Sequence, residues 1–268
     1  MNMSLTESKC NSGVKHIIFY SSGAASYVAA KMVVEKYGKD NCLLVFADTN
    51  IEDEDNYRFL YDGAFFLETE LVVLKNKKTP WDIYEEKRFV NHRVSNCSME
   101  LKIKPCRKFV SSNFSATECV LYFGIDFNEY HRTEKITKNW EPYSVDYPLC
   151  WGDWVDRNQI FQTIKDDGLK PPRLYEYGFS HANCGGFCSK AGKKQFRKLL
   201  NHFPERYMYH EKRENQFLEL ISKQSGCIIR EKGGTLTLKQ FRERIESESM
   251  QSNSSDDFIG GCGCFIED

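Results

Sequence analysis

Apolar and polar positions alternate between two periods along the first half of the chain. Residues 15–22, KHIIFYSS, carry a short continuous apolar run of the kind found in a strand covered on both faces. The run breaks into Ser21-Ser22-Gly23-Ala24-Ala25-Ser26, and apolar residues then return at helical spacing over 25–37. NCLLVFADT (41–49) predicts a second strand, 53–66 a helix, TELVVLK (69–75) a third strand, 98–112 a helix and CVLYFGID (119–126) a fourth strand. Strands at this spacing, bridged by helices, predict an α/β fold with a parallel, doubly wound, Rossmann-like sheet. Ligands of such sheets bind beyond the carboxyl ends of the strands. The candidate residues fall there: Ser21 to Ser26 after the first strand, Asp48 and Thr49 after the second, Gly124 to Asp126 after the fourth.

Past residue 140 the pattern changes. Trp140, Trp151 and Trp154 cluster around YPLCWGDW, a helix is expected over 156–167 and another over 190–202, stopped near Pro204. Residues 247–258 are polar and Ser-rich and read as a flexible linker to the cysteine-bearing tail IGGCGCFIED. The expected division is a nucleotide-binding α/β domain over 14–140, a helical, cysteine-bearing extension over 141–246, and a linker with a Cys-Gly-Cys tail over 247–268. No internal repeat is present.

Composition adds two constraints. Of 268 residues, 41% are hydrophobic and 14% aromatic, enough for a sizeable core, and a net charge of −1 makes no general demand for nucleic acid. No apolar stretch approaches the roughly 18–20 residues that span a bilayer, and the first residues lack a secretory apolar core, so a soluble, cytoplasmic protein without membrane contact is expected. The second constraint is the count of eleven cysteines, with pairs at Cys184/Cys188 and Cys262/Cys264 that point to metal or redox chemistry rather than to buried thiols alone.

The loop 21–26 supports two readings. Small residues between strand and helix let amides approach an anion, the helix N-terminus adds partial positive charge, and Ser21, Ser22 and Ser26 add hydroxyls. The same composition serves any strand-to-helix turn with capping serines.

YSSGAAS followed by VFADTNIEDEDNYRFL resembles the adenine nucleotide α-hydrolase superfamily, which holds the N-type ATP pyrophosphatases and the phosphoadenosine phosphosulfate (PAPS) reductases; the fold it implies is HUP-type. Ser21, Gly23 and Ser26 match the family's PP-loop, and Asp48-Thr49 its second-strand motif; Ser22 stands in place of a glycine and Ala25 in place of an aspartate. The resemblance implies an ATP or related adenine nucleotide site, with Asp48 near the adenosine and Gly124, Asp126, His131 and Arg132 beside the nucleotide. It also implies Mg2+, although the lost carboxylate at Ala25 favours nucleotide binding over hydrolysis. On residues alone, the run Glu52-Asp53-Glu54-Asp55 reads as a solvated helix start.

NCSMELKIKPCRKFV is similar to the cysteine segment of cluster-bearing sulfonucleotide reductases through Cys97, Lys102 and Pro105, with Asn96 in place of a second cysteine. HANCGGFCSKAG resembles their later cysteine pair through Cys184 and Cys188, which stand one residue further apart. The resemblance implies a [4Fe–4S] cluster on Cys97, Cys184 and Cys188 with one iron open; alternatively Cys106 completes a four-cysteine iron–sulfur or Zn2+ site. Lys102 is a candidate catalytic residue, as are Cys262 and Cys264 on their Ser-rich tether. Lys190, Lys193, Lys194, Arg197 and Lys198 form either a nucleic-acid contact or a solvated charged face. Oligomerisation is left open.

The activity implied is adenylation of a substrate, with a nucleobase as one candidate, for sulfur or other nucleophile transfer. The alternatives are a sulfonucleotide reductase with a C-terminal cysteine nucleophile and a non-catalytic nucleotide sensor. The resemblance covers much of residues 15–210, and the subgroup is common in phages and bacteria.

Overall fold

The computed structural model describes residues 13–90, 96–152, 155–222 and 227–256. They form two compact units: the described residues of 13–83 with those of 96–188, and those of 84–90 with those of 189–256.

The first unit is built on a five-stranded, all-parallel sheet in the order β3-β2-β1-β4-β5. The strands are β1 (Lys15–Phe19), β2 (Cys42–Asp48), β3 (Leu71–Lys75), β4 (Cys119–Phe123) and β5 (Ser144–Asp146). Alternate residues of each strand serve opposite faces. Ile18, Tyr20, Leu44 and Phe46 pack against α1 (Ala24–Tyr37), α2 (Glu54–Phe66) and α7 (Arg157–Asp166) through Val28, Val33, Phe59, Leu60, Ile160 and Ile164. Ile17, Leu43, Val45 and Leu121 form the other core, with Val110 of α5 (Lys104–Asn113) and Trp140 of α6 (Thr133–Trp140). Helices thus cover both faces, and the expected doubly wound α/β class is observed.

The helix expected over 98–112 is a composite: α4 (Asn96–Ser98), a π turn over Met99–Ile103, then α5. Pro105 supplies the reason. It has no amide hydrogen to give the carbonyl four residues back, and the ladder widens so that Lys104 N–H reaches Met99 O instead. Lys102 therefore sits on a widened turn.

Three expectations are corrected. The first unit runs on to Cys188, not to residue 140, because Ile160 and Ile164 of α7, one turn apart, bury themselves against the sheet core. β5, only three residues long, extends the sheet beyond the four expected strands. Residues 247–256 belong to α10 (Leu238–Asp256) rather than to a flexible linker.

In the second unit, α8 (Lys193–His202) stops before Pro204, which opens α9 (Pro204–Ile221) at a position where its missing amide hydrogen is harmless. A hairpin, β6 (Ile229–Glu231) and β7 (Gly234–Leu236), precedes α10. The end of α3 (Pro80–Lys87) also belongs here. The buried face of α9 is polar: Tyr207, His210, Glu211 and Glu214 line it above Phe217. The Glu214 carboxylate accepts the amides of Ile228 (2.7 Å) and Leu238, tying the hairpin and α10 to α9.

Burial pushes the Glu214 carboxyl up to about 7, against the pull of those amides. Its folded pKa lies above its ordinary value, so its contribution is greatest below pH ~4.5 and is lost as pH rises through ~7. His210 runs the other way: burial, Arg206 and Arg213 pull it down to about 3, and its contribution is lost as pH falls below ~6.5. Comparing Glu214→Gln with the parent chain cancels the histidine. In urea unfolding, the destabilisation caused by Glu214→Gln should shrink by about 3 kcal/mol between pH 4.5 and 8. A pH-independent difference would exclude the raised carboxyl.

No helix among the described residues is long and apolar enough to cross a membrane.

Candidate active site

β1 ends at Phe19, and the chain turns through Ser21, Ser22 and Gly23 into α1. Ser22 adopts left-handed geometry (φ 57°), uncommon for a residue with a Cβ. Among the described residues the amides of Ser22, Gly23, Ala25 and Ser26 meet no acceptor, while Ala24 N–H donates to the Tyr175 hydroxyl at 3.2 Å. The Ser22 side chain is fully buried and its hydroxyl has no partner. Ser21 Oγ donates to Ser26 Oγ, which itself donates to Gly23 O at 2.8 Å. A turn of free amides at the start of a 14-residue helix is a ready anion cradle.

Gly124 explains how β4 comes so close to this cradle. A Cβ at that position would lie 2.8 Å from Ser26 Cα and 3.1 Å from Ala25 O and Ser26 N. Only glycine permits that approach.

Beside the loop lies a cavity of about 370 Å³, within the range of small-ligand sites. Its walls are Phe19, Tyr20 and Ser21 from β1 and its end, Val45 and Ala47 from β2, Phe123 and Ile125 from β4 and its end, and Trp140 from α6. Lys102, Arg107 and Arg132 bring positive charge to this apolar lining. The cavity falls where the strand order reverses, between β1 and β4.

The second-strand residues are buried and committed. Asp48 Oδ1 accepts from Asn50 N (2.8 Å) and Tyr57 Oη (2.7 Å), and burial, then Asp48, holds the Tyr57 phenol well above its usual range. Thr49 Oγ1 donates to Glu52 Oε1 at 2.9 Å. The acidic run is a solvated helix start only in its second half: Glu54 is exposed, whereas the Glu52 side chain is 2% exposed and Asp53 0%. Each buried carboxylate has partners that only the fold provides. Glu52 takes the Cys184 amide and lies 3.6 Å from Lys102 Nζ; Asp53 caps α2 through Asp55 N and takes both arms of Arg173 at 2.9 and 3.0 Å.

The cysteines divide. Cys97, Cys184 and Cys188 lie close enough to Lys102 to act on it electrostatically: burial pulls its ammonium down, and the three sulfurs with Glu52 more than offset this, raising it overall. Cys184 has its thiol pushed far up, by burial first and then by Glu52. Its backbone is left-handed (φ 53°), followed by Gly185 and Gly186 in the same region. Cys106 stands apart. It is buried with Ile17, Val45, Val110 and Leu121, lines the cavity, and has its thiol pushed up to about 12 by burial. The charge of Lys102 opposes that rise, so Cys106 too lies within its electrostatic reach. Among the described residues no group of three or more His, Cys, Asp or Glu side chains is placed to hold a metal ion.

The remaining expectations fall unevenly. Asp126 caps the short helical turn Phe127–Arg132 through Glu129 N at 3.2 Å, a structural role. His131 is exposed, whereas Arg132, though paired with Glu129, lines the cavity. In the second unit, Lys193 and Arg197 pair with Glu231 and Glu248 at 3.3 and 3.0 Å. Lys190 and Lys194 are exposed and Lys198 is half-buried. Cys262 and Cys264 lie outside the described residues. Glu52 and Trp140 received no functional role from the sequence. Glu52 was hidden in a run of four acids, and Trp140 in a cluster of tryptophans.

No protein-family model matches the chain, and no curated protein matches it. Among solved structures the chain is similar to the phosphoadenylyl-sulfate (PAPS) reductase of Candida auris, in a phosphate complex. The two are 13% identical, the match covers 64% of this chain and 80% of that one, and the TM-score is 0.41.

Proposed function

We propose that the first unit is an enzyme's adenine-nucleotide site, with phosphate on the loop 21–26 and the base in the apolar cavity beside it. The observation that carries this reading is the turn of unpartnered amides, with the orphaned Ser22 hydroxyl, at the reversal point of the sheet. Free donors at a helix start favour an oxyanion, and an apolar, aromatic-lined cavity flanked by Arg107 and Arg132 favours a base carrying charged groups.

Lys102 links the nucleotide to the chemistry, since it lines the cavity and faces Cys97, Cys184 and Cys188. In this reading the nucleotide activates an acceptor by adenylation, and the amides with Lys102 stabilise charge at the phosphate as it is displaced. The sulfur-bearing side of Lys102 is where a nucleophile is delivered. The loop has no carboxylate for Mg2+; Asp48, which ends β2, already accepts two hydrogen bonds on one oxygen, Glu52 takes the Cys184 amide beside Lys102, and Asp53 holds the Arg173 fork. The residues present do not make a magnesium site there.

Equilibrium binding with the full chain tests the reading. Saturable binding of ATP or PAPS, competed by AMP and not by GMP, is expected. Pyrophosphate release from ATP with an acceptor present would then support adenylation, and sulfite release from PAPS would replace it with reduction. Absence of binding by ATP, AMP and PAPS would overturn the proposal.

A further inference from the structure

Tyr175 closes the short turn Arg173–Tyr175, and its hydroxyl oxygen accepts the amide of Ala24, the first residue of α1, at 3.2 Å. An oxygen that accepts still has its own hydrogen to give. Among the described residues nothing accepts that hydrogen.

The ring is held in place from several sides. Phe161 meets it edge-on at 5.1 Å, and the Arg157 guanidinium lies over it at 5.7 Å. The segment before it is pinned to α2: Arg173 forks onto Asp53, Arg173 N–H donates to Asp55 at 2.7 Å, and Arg58 donates to the carbonyls of Lys170 and Pro171. This mooring places the hydroxyl beside Gly23, where an added Cβ would lie 3.5 Å from it.

An aspartate cap offers its helix an oxygen that only accepts. Here the capping atom is also a donor, and its neighbours in the turn are the free amides of Ala25 and Ser26 and the buried, unpartnered hydroxyl of Ser22. The donors left over in this cluster are matched by a group made only of acceptors, and a phosphate dianion is such a group.

We propose that Tyr175 is a specificity-determining residue that donates its phenolic hydrogen bond to a phosphate oxygen of the nucleotide, so that the site selects nucleotides over nucleosides. The inference rests on the nucleotide reading above.

AMP and adenosine differ by the phosphate alone, and their affinities for the full chain separate the possibilities. The parent protein should bind AMP more tightly than adenosine. Tyr175→Phe keeps the ring and its packing and removes the donor. AMP affinity should fall about tenfold while adenosine stays within about twofold, the loss expected for one hydrogen bond to a charged group. Merely loosening the loop would weaken both ligands together.

Gly23→Ala is the second variant, in case the first does not fold. Gly23 has φ −84°, open to alanine, and the new methyl would meet the Tyr175 and Ser21 hydroxyls at ordinary contact distance. It shields the donor without removing it, and should also reduce AMP affinity selectively. Equal effects on both ligands, or none, overturn the role of Tyr175 and leave the nucleotide site standing. Failure of the parent protein to prefer AMP overturns it as well, and failure to bind either ligand removes both readings.

Discussion

Gly124→Ala should remove nucleotide binding out of proportion to the stability it costs. The new methyl would sit 2.8 Å from Ser26 Cα and 3.1 Å from Ala25 O and Ser26 N, all backbone of the first turn of α1. No rotamer change relieves such a contact. The helix cannot retreat as a body, because Val28, Ala29, Ala30 and Val33 are buried against the sheet. The least resisted movement is of the turn itself, which carries the free amides. Overpacking of this kind costs about 1–3 kcal/mol. A displacement of about 1 Å in a positioning group can cost on the order of a hundredfold. AMP affinity is therefore expected to fall more than about tenfold, with a urea midpoint shift equivalent to about 2 kcal/mol. Gly234→Ala, exposed in β7 where an added Cβ meets nothing, is the matched control and should leave AMP binding unchanged. Unchanged AMP binding in a destabilised Gly124→Ala protein would show that the turn does not hold the ligand.

The parts of this site that could be read from the sequence are those whose signal is local. β1, β2 and β4 are buried on both faces, so they appear as unbroken apolar runs, and the turns after them contain the small residues that a close approach demands. The loop 21–26 and Gly124 were legible for that reason. β5 has three residues, none of them fully buried, and leaves no such run.

Buried acids were illegible in a different way. Glu52 and Asp53 look like any acidic helix start, and what buries them is supplied from more than a hundred residues away by Cys184 N–H and Arg173. For Tyr175 the partner that fixes its place is Ala24, 151 residues away in sequence. The unit boundary failed because composition shifts near residue 140 while packing does not: α7 carries two isoleucines back onto the sheet. Cys97, Cys184 and Cys188, far apart in sequence, all act on the charge of Lys102, while Cys106 lies past the π turn caused by Pro105 and its thiol joins the apolar core.

Asp53→Ala should be the most destabilising single change in the first unit among those considered. Asp53 is fully buried and performs two jobs with one carboxylate: it caps α2 through Asp55 N at 2.9 Å and receives the Arg173 fork. Truncation leaves the α2 amide uncapped, at about 1 kcal/mol, and strands a guanidinium whose side chain is only 34% exposed. Removing one partner of a buried ion pair typically costs about 3–5 kcal/mol; because Arg173 reaches water, the lower half of that range is expected. Asp53→Asn divides the total. Asparagine caps a helix about as well as aspartate, so this variant should retain α2 and lose mainly the charged fork, placing it about 1 kcal/mol above Asp53→Ala. The consequence for the site follows from the chain path. Arg173 lies two residues before Tyr175, so freeing its guanidinium loosens the turn that holds the phenol against Ala24. Both variants should therefore lower AMP affinity relative to adenosine, in the same direction as Tyr175→Phe, at temperatures where they remain folded. If Asp53→Asn were destabilised but bound AMP as the parent does, the fork would serve the stability of α2 alone.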